Sequence, residues 1–189
     1  RARKLGFEVT LLERLNQIGG RAQTFKKDGF IFDAGPTVIT APFLFDELFE
    51  LFDKDIKDYI EMIPVSPWYR YEFTDGTSLN YGGSVEDTLS EIKKINPEDV
   101  EGYKKLLQHS ERIFNKGFTE LAHVPFSSFW FMMRQVPDLF KLECYRTVWQ
   151  FTKKYLKDER LRRAFSIQPL LVGGNPFTTT SIYSLIHFL

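Results

Sequence analysis

Phe7-Glu8-Val9-Thr10-Leu11-Leu12-Glu13, followed after a loop by Gly19-Gly20-Arg21, is the stretch on which the fold turns. The run after Gly6 is apolar and β-branched and ends on an acid. It reads as a buried parallel strand. A strand with a carboxylate at its C-terminal end matches the second strand of a Rossmann βαβ unit, where both oxygens of Glu13 can accept from the ribose hydroxyls of an adenosine. Gly19 and Gly20 let the backbone approach a pyrophosphate or a ring edge with no Cβ in the way. Arg21 adds fixed positive charge beside phosphate. Alone, Glu13 is a surface acid and the glycines a plain loop; the spacing raises both together. The G-x-G-x-x-G loop expected roughly 20–30 residues before Glu13 is absent, and the chain reads as a fragment cut at both ends.

Downstream, Ala22 to Lys27 and Phe30 to Asp33 read as short strands joined at Asp28-Gly29. Ala34-Gly35-Pro36-Thr37 breaks the pattern and leaves free backbone N–H groups and a hydroxyl. Pro42 to Phe52 reads as a helix with Leu44, Phe45, Leu48, Phe49 and Phe52 on one face. Trp68 to Phe73 and Thr77 to Tyr81 form a hairpin about Asp75-Gly76. Ser84 caps a helix to Lys94. Asn96-Pro97-Glu98-Asp99 starts another, running to about Lys116, with its acids in the first turn and Val100, Tyr103, Leu106, Leu107, Ile113 and Phe114 as its stripe. From Phe126 onward the chain reads as helical, broken at Pro137 and near Pro169.

Composition narrows the function. The 189 residues are 43% hydrophobic and 26% charged, which excludes disordered and low-complexity classes. Lys and Arg total 25, as do Asp and Glu, so nothing marks a nucleic-acid binder. Cys144 stands alone, which excludes an intramolecular disulfide, and His109, His123 and His187 lack metal-ligand spacing. The aromatic content, with 19 Phe, points to something long and apolar packed or bound. A basic stretch follows the aromatic run Phe118 to Met133. It is either a solvated helix face or a surface for anionic membrane. Residues 164–189 carry no charged side chain, but Pro169, Gly173-Gly174-Asn175-Pro176 and the Thr178-Thr179-Thr180-Ser181 run argue against a membrane span and for a buried core segment around a cavity.

Four blocks carry a family resemblance. Glu13 with Gly19-Gly20-Arg21; Phe32-Asp33-Ala34-Gly35-Pro36-Thr37-Val38-Ile39-Thr40; Asn96-Pro97 with Asp99-Val100-Glu101-Gly102-Tyr103; and Leu170-Leu171-Val172-Gly173-Gly174-Asn175-Pro176-Phe177 resemble bacterial-type phytoene desaturases, FAD-dependent enzymes of the flavoprotein amine-oxidase-like group. The first two blocks are common to many flavoproteins. The last two, with Pro64-Val65, Pro67 and Tyr69-Arg70, are more specific.

The resemblance implies an α/β fold: an incomplete FAD/NAD(P)-binding Rossmann-like domain with a mixed sheet, plus a helical substrate- and membrane-associated region. It implies a partial FAD-binding domain over 1–60, a substrate-domain hairpin over 61–83 and a helical, membrane-facing region over 84–189. It places Glu13 on the adenosine ribose, Gly19, Gly20 and Arg21 along the pyrophosphate toward the flavin, and Asp33, Gly35, Pro36 and Thr37 near the isoalloxazine. The implied partners are a long phytoene-like polyene and a membrane surface, with no nucleic acid and no metal, at the cytoplasmic side of a bacterial membrane. The implied reaction sends a hydride to flavin and releases a proton. The cofactor carries the redox step. After the Pro-Phe-x-Ser-Phe segment, relatives carry an Arg-Asp pair and a later Arg as acid–base candidates. Here Trp130 and Phe131 replace the pair and Arg134 remains, so Arg134 is the catalytic candidate. Carotenoid isomerases, C30 carotenoid desaturases, amine oxidases and a non-catalytic carotenoid-binding relative are the rival readings.

Overall fold

The computed structural model describes residues 1–35 and 38–189; Pro36 and Thr37 lie outside the described residues. The chain forms two compact units, Arg1–Ile63 and Pro64–Leu189.

In the first unit, β1 (Thr24–Lys27) and β2 (Phe30–Asp33) pair antiparallel, with Thr24 opposite Asp33 and Lys27 opposite Phe30. The turn between them works because Asp28 and Gly29 both take positive φ, 52° and 83°, as a two-residue hairpin with the strand's own twist requires. Helix α1 (Phe43–Glu50) follows. Its stripe is left open: Leu44, Phe45, Leu48 and Phe52 are exposed. Ile56 is the one buried residue among the described residues of this unit.

Phe7 to Glu13 differs from the expected buried strand. It pairs with no strand among the described residues, and Phe7, Val9, Leu11 and Leu12 are exposed. A parallel strand exists only between neighbours that satisfy its N–H and C=O groups, and among the described residues the sheets are two separate antiparallel pairs. Among the described residues the sheets are these two small hairpins.

The second unit has a real core. Strands β3 (Tyr69–Glu72) and β4 (Ser78–Tyr81) pair antiparallel. On β4 the two-residue period sends Leu79 and Tyr81 inward. Asp75 shapes the turn by accepting from Thr77 N–H at 2.9 Å, and Arg160 Nη1 holds the other carboxylate oxygen at 2.8 Å. Helix α2 (Val85–Ile95) begins with a capping box between Ser84 and Asp87, worth about 1 kcal/mol. Glu91, on α2, accepts from Asn80 N–H at 3.1 Å and so covers the edge of β4.

Helix α3 (Asp99–Phe114) passes through the middle of the unit and ends in a π-helical turn, Asn115–Glu120. Then come α4 (Phe129–Lys141), α5 (Val148–Tyr155) and α6 (Glu159–Ala164), with 3-10 turns at Gln168–Val172 and Ser181–His187. Phe151, Phe165, Leu106, Leu156, Leu161 and Ile113 are sealed from solvent between α3, α5 and α6, each aromatic contributing about 2–3 kcal/mol.

Asp99 stands in the first turn of α3 as expected and is fully buried; it accepts from Lys157 N–H at 2.7 Å and Asp158 N–H at 2.8 Å, where α6 begins. Three expectations are corrected here. His109, read as off the stripe, is buried between Tyr155 Oη (2.7 Å) and the Leu142 carbonyl (3.0 Å). Helix α4 continues through Pro137, because a proline deletes one ladder bond while the N–H groups beyond it still find carbonyls, as Leu142 does on Asp138. Leu170, Leu171 and Val172, expected in a buried segment, are exposed. No helix of the described residues is long and apolar enough to cross a membrane.

Candidate flavin cradle

The β1–β2 hairpin brings most of the predicted cofactor residues together. Its ladder extends by one bond past the strand ends, from Ala34 N–H to the Gln23 carbonyl at 3.0 Å. Just upstream of β1, Gly19 and Gly20 take φ of 120° and 54°, and Gly20–Ala22 forms a single 3-10 turn closed by Ala22 N–H on the Gly19 carbonyl at 2.8 Å. A β-carbon on residue 35 would stand 1.7 Å from the Arg21 carbonyl oxygen. Only glycine allows that approach. Gly19, Gly20 and Arg21 are thus set against Asp33 and Gly35 by a backbone contact that needs no side chain.

Gln17 ties the preceding loop to the same hairpin. Its Nε2 donates to the Thr24 carbonyl at 2.9 Å and to Gln23 Oε1 at 3.1 Å. Glu13 is not joined to the glycine pair by a hydrogen bond among the described residues. It is exposed, and its Oε1 accepts from Leu15 N–H at 2.8 Å, which fixes one carboxylate oxygen and leaves the other open. Pro36 and Thr37, which the family resemblance places near the isoalloxazine, lie outside the described residues.

Arg134 belongs to the second unit, on α4, and is exposed with no ion pair among the described residues. The helix is anchored on both sides of it. Ser128 Oγ accepts from Phe131 N–H at 3.4 Å, and Lys116 Nζ bridges Asp138 at 2.9 Å and Glu120 at 2.8 Å. The ammonium holds the Asp138 carboxyl below its usual range, and the two carboxylates raise Lys116. The face α4 presents is apolar: Phe129, Trp130, Met132, Met133, Val136 and Phe140 are exposed, and the helix has no buried residue.

The family-specific blocks do structural work that their residue types did not announce. A β-carbon on Gly102 would meet the Tyr155 carbonyl at 2.0 Å, one turn from Asp99 with its two backbone donors. In the last block, Val148 and Trp149 at the start of α5 donate to the carbonyls of Thr179 and Pro176. Sequence reasoning missed the burial of His187, whose Nε2–H donates to the Phe165 carbonyl at 3.0 Å while Nδ1 accepts from Gln168 Nε2 at 3.2 Å. Burial pushes it down to about 4. Cys144 is half-buried, and burial pushes its thiol up to about 11. No group of three or more His, Cys, Asp or Glu among the described residues is placed to hold a metal.

A backbone cradle of glycines in left-handed conformations, beside a strand exit that excludes any side chain, fits an extended pyrophosphate-bearing cofactor. The sequence profile of flavin containing amine oxidoreductases matches residues 3–179, and the chain belongs to that family. More particularly, it is 47% identical over all 189 residues to a lycopene-forming phytoene desaturase of Pantoea ananas and 44% identical over the same span to one of Pseudescherichia vulneris. It is 35% identical to a 4,4'-diapolycopen-4-al dehydrogenase of Metabacillus indicus, over 98% of the chain. The chain spans 38% of the length of each of these relatives.

Proposed function

We propose that the chain is the part of an FAD-dependent phytoene desaturase that carries one wall of the flavin site and much of the substrate region. The observation that carries the reading is the packing of Arg21 on Gly35, which joins the two flavin-directed segments into one cradle. The 47% and 44% identities to lycopene-forming desaturases, against 35% to the aldehyde dehydrogenase, favour a C40 hydrocarbon over a C30 substrate.

In this reading Phe7–Glu13 is the second strand of a Rossmann-like sheet, and its exposed Phe7, Val9, Leu11 and Leu12 pack on flanking elements of the full-length protein. Residues 1–60 belong to the FAD domain, 61–83 to the substrate-domain hairpin and 84–189 to a helical region facing lipid. Glu13 would hold the adenosine ribose through its free oxygen. Gly19 and Gly20 would admit the pyrophosphate, Arg21 would balance its charge, and Asp33 and Gly35, with Pro36 and Thr37, would flank the ring system. Bound flavin would supply the two-electron acceptor for the desaturation. Arg134 is a permanent cation and cannot take the departing proton; it would balance negative charge. Trp130 and Phe131 supply no base either, so the proton leaves an allylic cation acidic enough to give it to a weak acceptor.

The exposed apolar face of α4, with Lys and Arg following in sequence, suits a helix lying in a membrane interface, where Trp and Phe meet the acyl boundary and basic groups meet anionic headgroups. That supports a peripheral location on the cytoplasmic side of a bacterial membrane, where a water-insoluble substrate is delivered. The test is expression of the full-length protein in phytoene-accumulating cells. A red, lycopene-type product supports the reading. A purified protein that is yellow, bleaches with dithionite and leaves phytoene unchanged overturns it in favour of another flavoenzyme. A colourless, flavin-free protein that retains carotenoid favours a binding relative.

A further inference from the structure

The loop between Glu13 and Gly19 is fastened near both of its ends. At its start, Glu13 Oε1 accepts from Leu15 N–H at 2.8 Å. Toward its end, Gln17 Nε2 donates to the Thr24 carbonyl at 2.9 Å and to Gln23 Oε1 at 3.1 Å. An amide nitrogen carries two N–H donors, and both are used here. A carbonyl can only accept, so the Thr24 contact fixes which way round the Gln17 amide sits.

Both acceptors lie on the element that carries the rest of the cradle. The Gln23 carbonyl accepts from Ala34 N–H at 3.0 Å and so faces the β2 side. Carbonyls alternate sides along a strand, so that of Thr24 faces the opposite edge, where Gln17 meets it. Gly19 rests on the same residue: a β-carbon there would stand 3.2 Å from Gln23 Cα and Cβ. Gln23, which is half-buried, therefore joins the Gln17 amide, the Gly19 backbone and the exit of β2.

Glu13 is assigned to the ribose and Gly19-Gly20 to the pyrophosphate, which are neighbouring groups of one ligand. Residues 14–18 decide how far apart these two grips stand. All five are exposed, so hydrogen bonds rather than a core give the loop its shape. We propose that Gln17 is a positioning residue: its amide clasps the loop to the outer edge of β1 and sets the distance from the ribose carboxylate to the pyrophosphate turn. The inference rests on the flavoenzyme reading above and adds what holds its two grips in register. A loop already set at the right span loses little freedom when the cofactor arrives, and that preorganisation appears as affinity.

The test strips flavin from the full-length protein and titrates it with FAD. Gln17→Leu removes both donors; the expected result is a Kd for FAD raised at least fivefold, with an unchanged unfolding midpoint of the stripped protein. Glu13→Gln keeps an acceptor for Leu15 N–H and removes the second carboxylate oxygen. It is expected to raise the Kd at least fivefold alone and less than twofold on top of Gln17→Leu, because an unclasped loop no longer presents residue 13 to the ribose. Gln17→Glu keeps the length and shape without the N–H donors and is expected to match Gln17→Leu. An unchanged Kd in Gln17→Leu overturns the clasp. So do penalties that multiply in the double variant, since Gln17 then does not act through Glu13. A Glu13→Gln variant that binds FAD as the wild type does overturns it too, since no ribose grip is left to position. If Gln17→Leu fails to fold, Gln17→Glu decides, and failure of both overturns the proposal because the side chain then supports the domain as a whole. A wild-type protein that takes up no FAD refutes the flavoenzyme reading itself; one that binds FAD equally with and without the clasp refutes the clasp alone.

Discussion

The carbonyl oxygen of Arg21 occupies the space beside Gly35 that a side chain would need, at 1.7 Å from an ideal β-carbon. The two segments assigned to the flavin meet through this contact. Gly35→Ala therefore has to push the Gly19–Arg21 turn away from the Asp33 strand end. The expected outcome, read as flavin absorbance per protein in the full-length enzyme, is a loss of at least tenfold in bound flavin. Retention of full flavin content would separate residue 35 from the cradle.

Arg134 stands on an exposed helix with no acid paired to it among the described residues. If its cation acts at the reacting end, Arg134→Ala lowers turnover of liposomal phytoene at least tenfold at constant flavin content, and Arg134→Lys recovers part of it because charge persists without the planar fork. Unchanged turnover in Arg134→Ala removes it from the mechanism.

Trp130 is 74% exposed on the apolar face of α4. If α4 lies in a membrane interface as proposed, Trp130→Glu cuts co-sedimentation with anionic liposomes by about tenfold, since it puts a charge beside acidic headgroups. Flavin content should not move. Binding that survives the substitution would detach α4 from the membrane.

Asp99 is buried and holds two backbone N–H groups that belong to no other acceptor. Removing it strands both donors. Asp99→Ala is expected to cost about 3 kcal/mol of stability in urea unfolding, and Asp99→Asn less, because one acceptor oxygen remains. A cost below about 1 kcal/mol would mean that water replaces the carboxylate.

His187 is neutral in the folded protein down to about pH 4, while an unfolded chain protonates it near 6.5. Between those values the unfolded state binds a proton that the folded state refuses. Stability is therefore complete above about pH 6.5 and declines as pH falls toward 4, by about 3 kcal/mol. His187→Gln should flatten the slope in this window. An equal slope in both proteins would assign it to other groups.

What the sequence disclosed were the features that close within a few residues. Ser84 with Asp87, the Asp28-Gly29 turn and the Asp75-Gly76 turn each define their geometry locally, and each stands where expected. The glycine pair was legible as a place with no Cβ in the way, whereas Gly35 was legible only as part of a break in the strand pattern, and neither as a neighbour of the other. What stayed hidden depends on distant partners. Phe7 to Glu13 has strand character but pairs with no strand among the described residues. The burial of Asp99 was not legible, because its donors lie far along the chain at Lys157 and Asp158. The apolar Leu170 to Val172 looked like core, since composition says what a residue prefers and not what is there to cover it.

The same Asp99 contact sets an order of events during synthesis. Helix α3 emerges from the ribosome carrying an acid that its fold will seal from water, and the groups that accept that burial are translated 58 residues later. Until Lys157 and Asp158 arrive, the nascent chain must keep the front of α3 hydrated. The front of α3 therefore cannot leave water without losing its hydrogen bonds until Lys157 and Asp158 have been made.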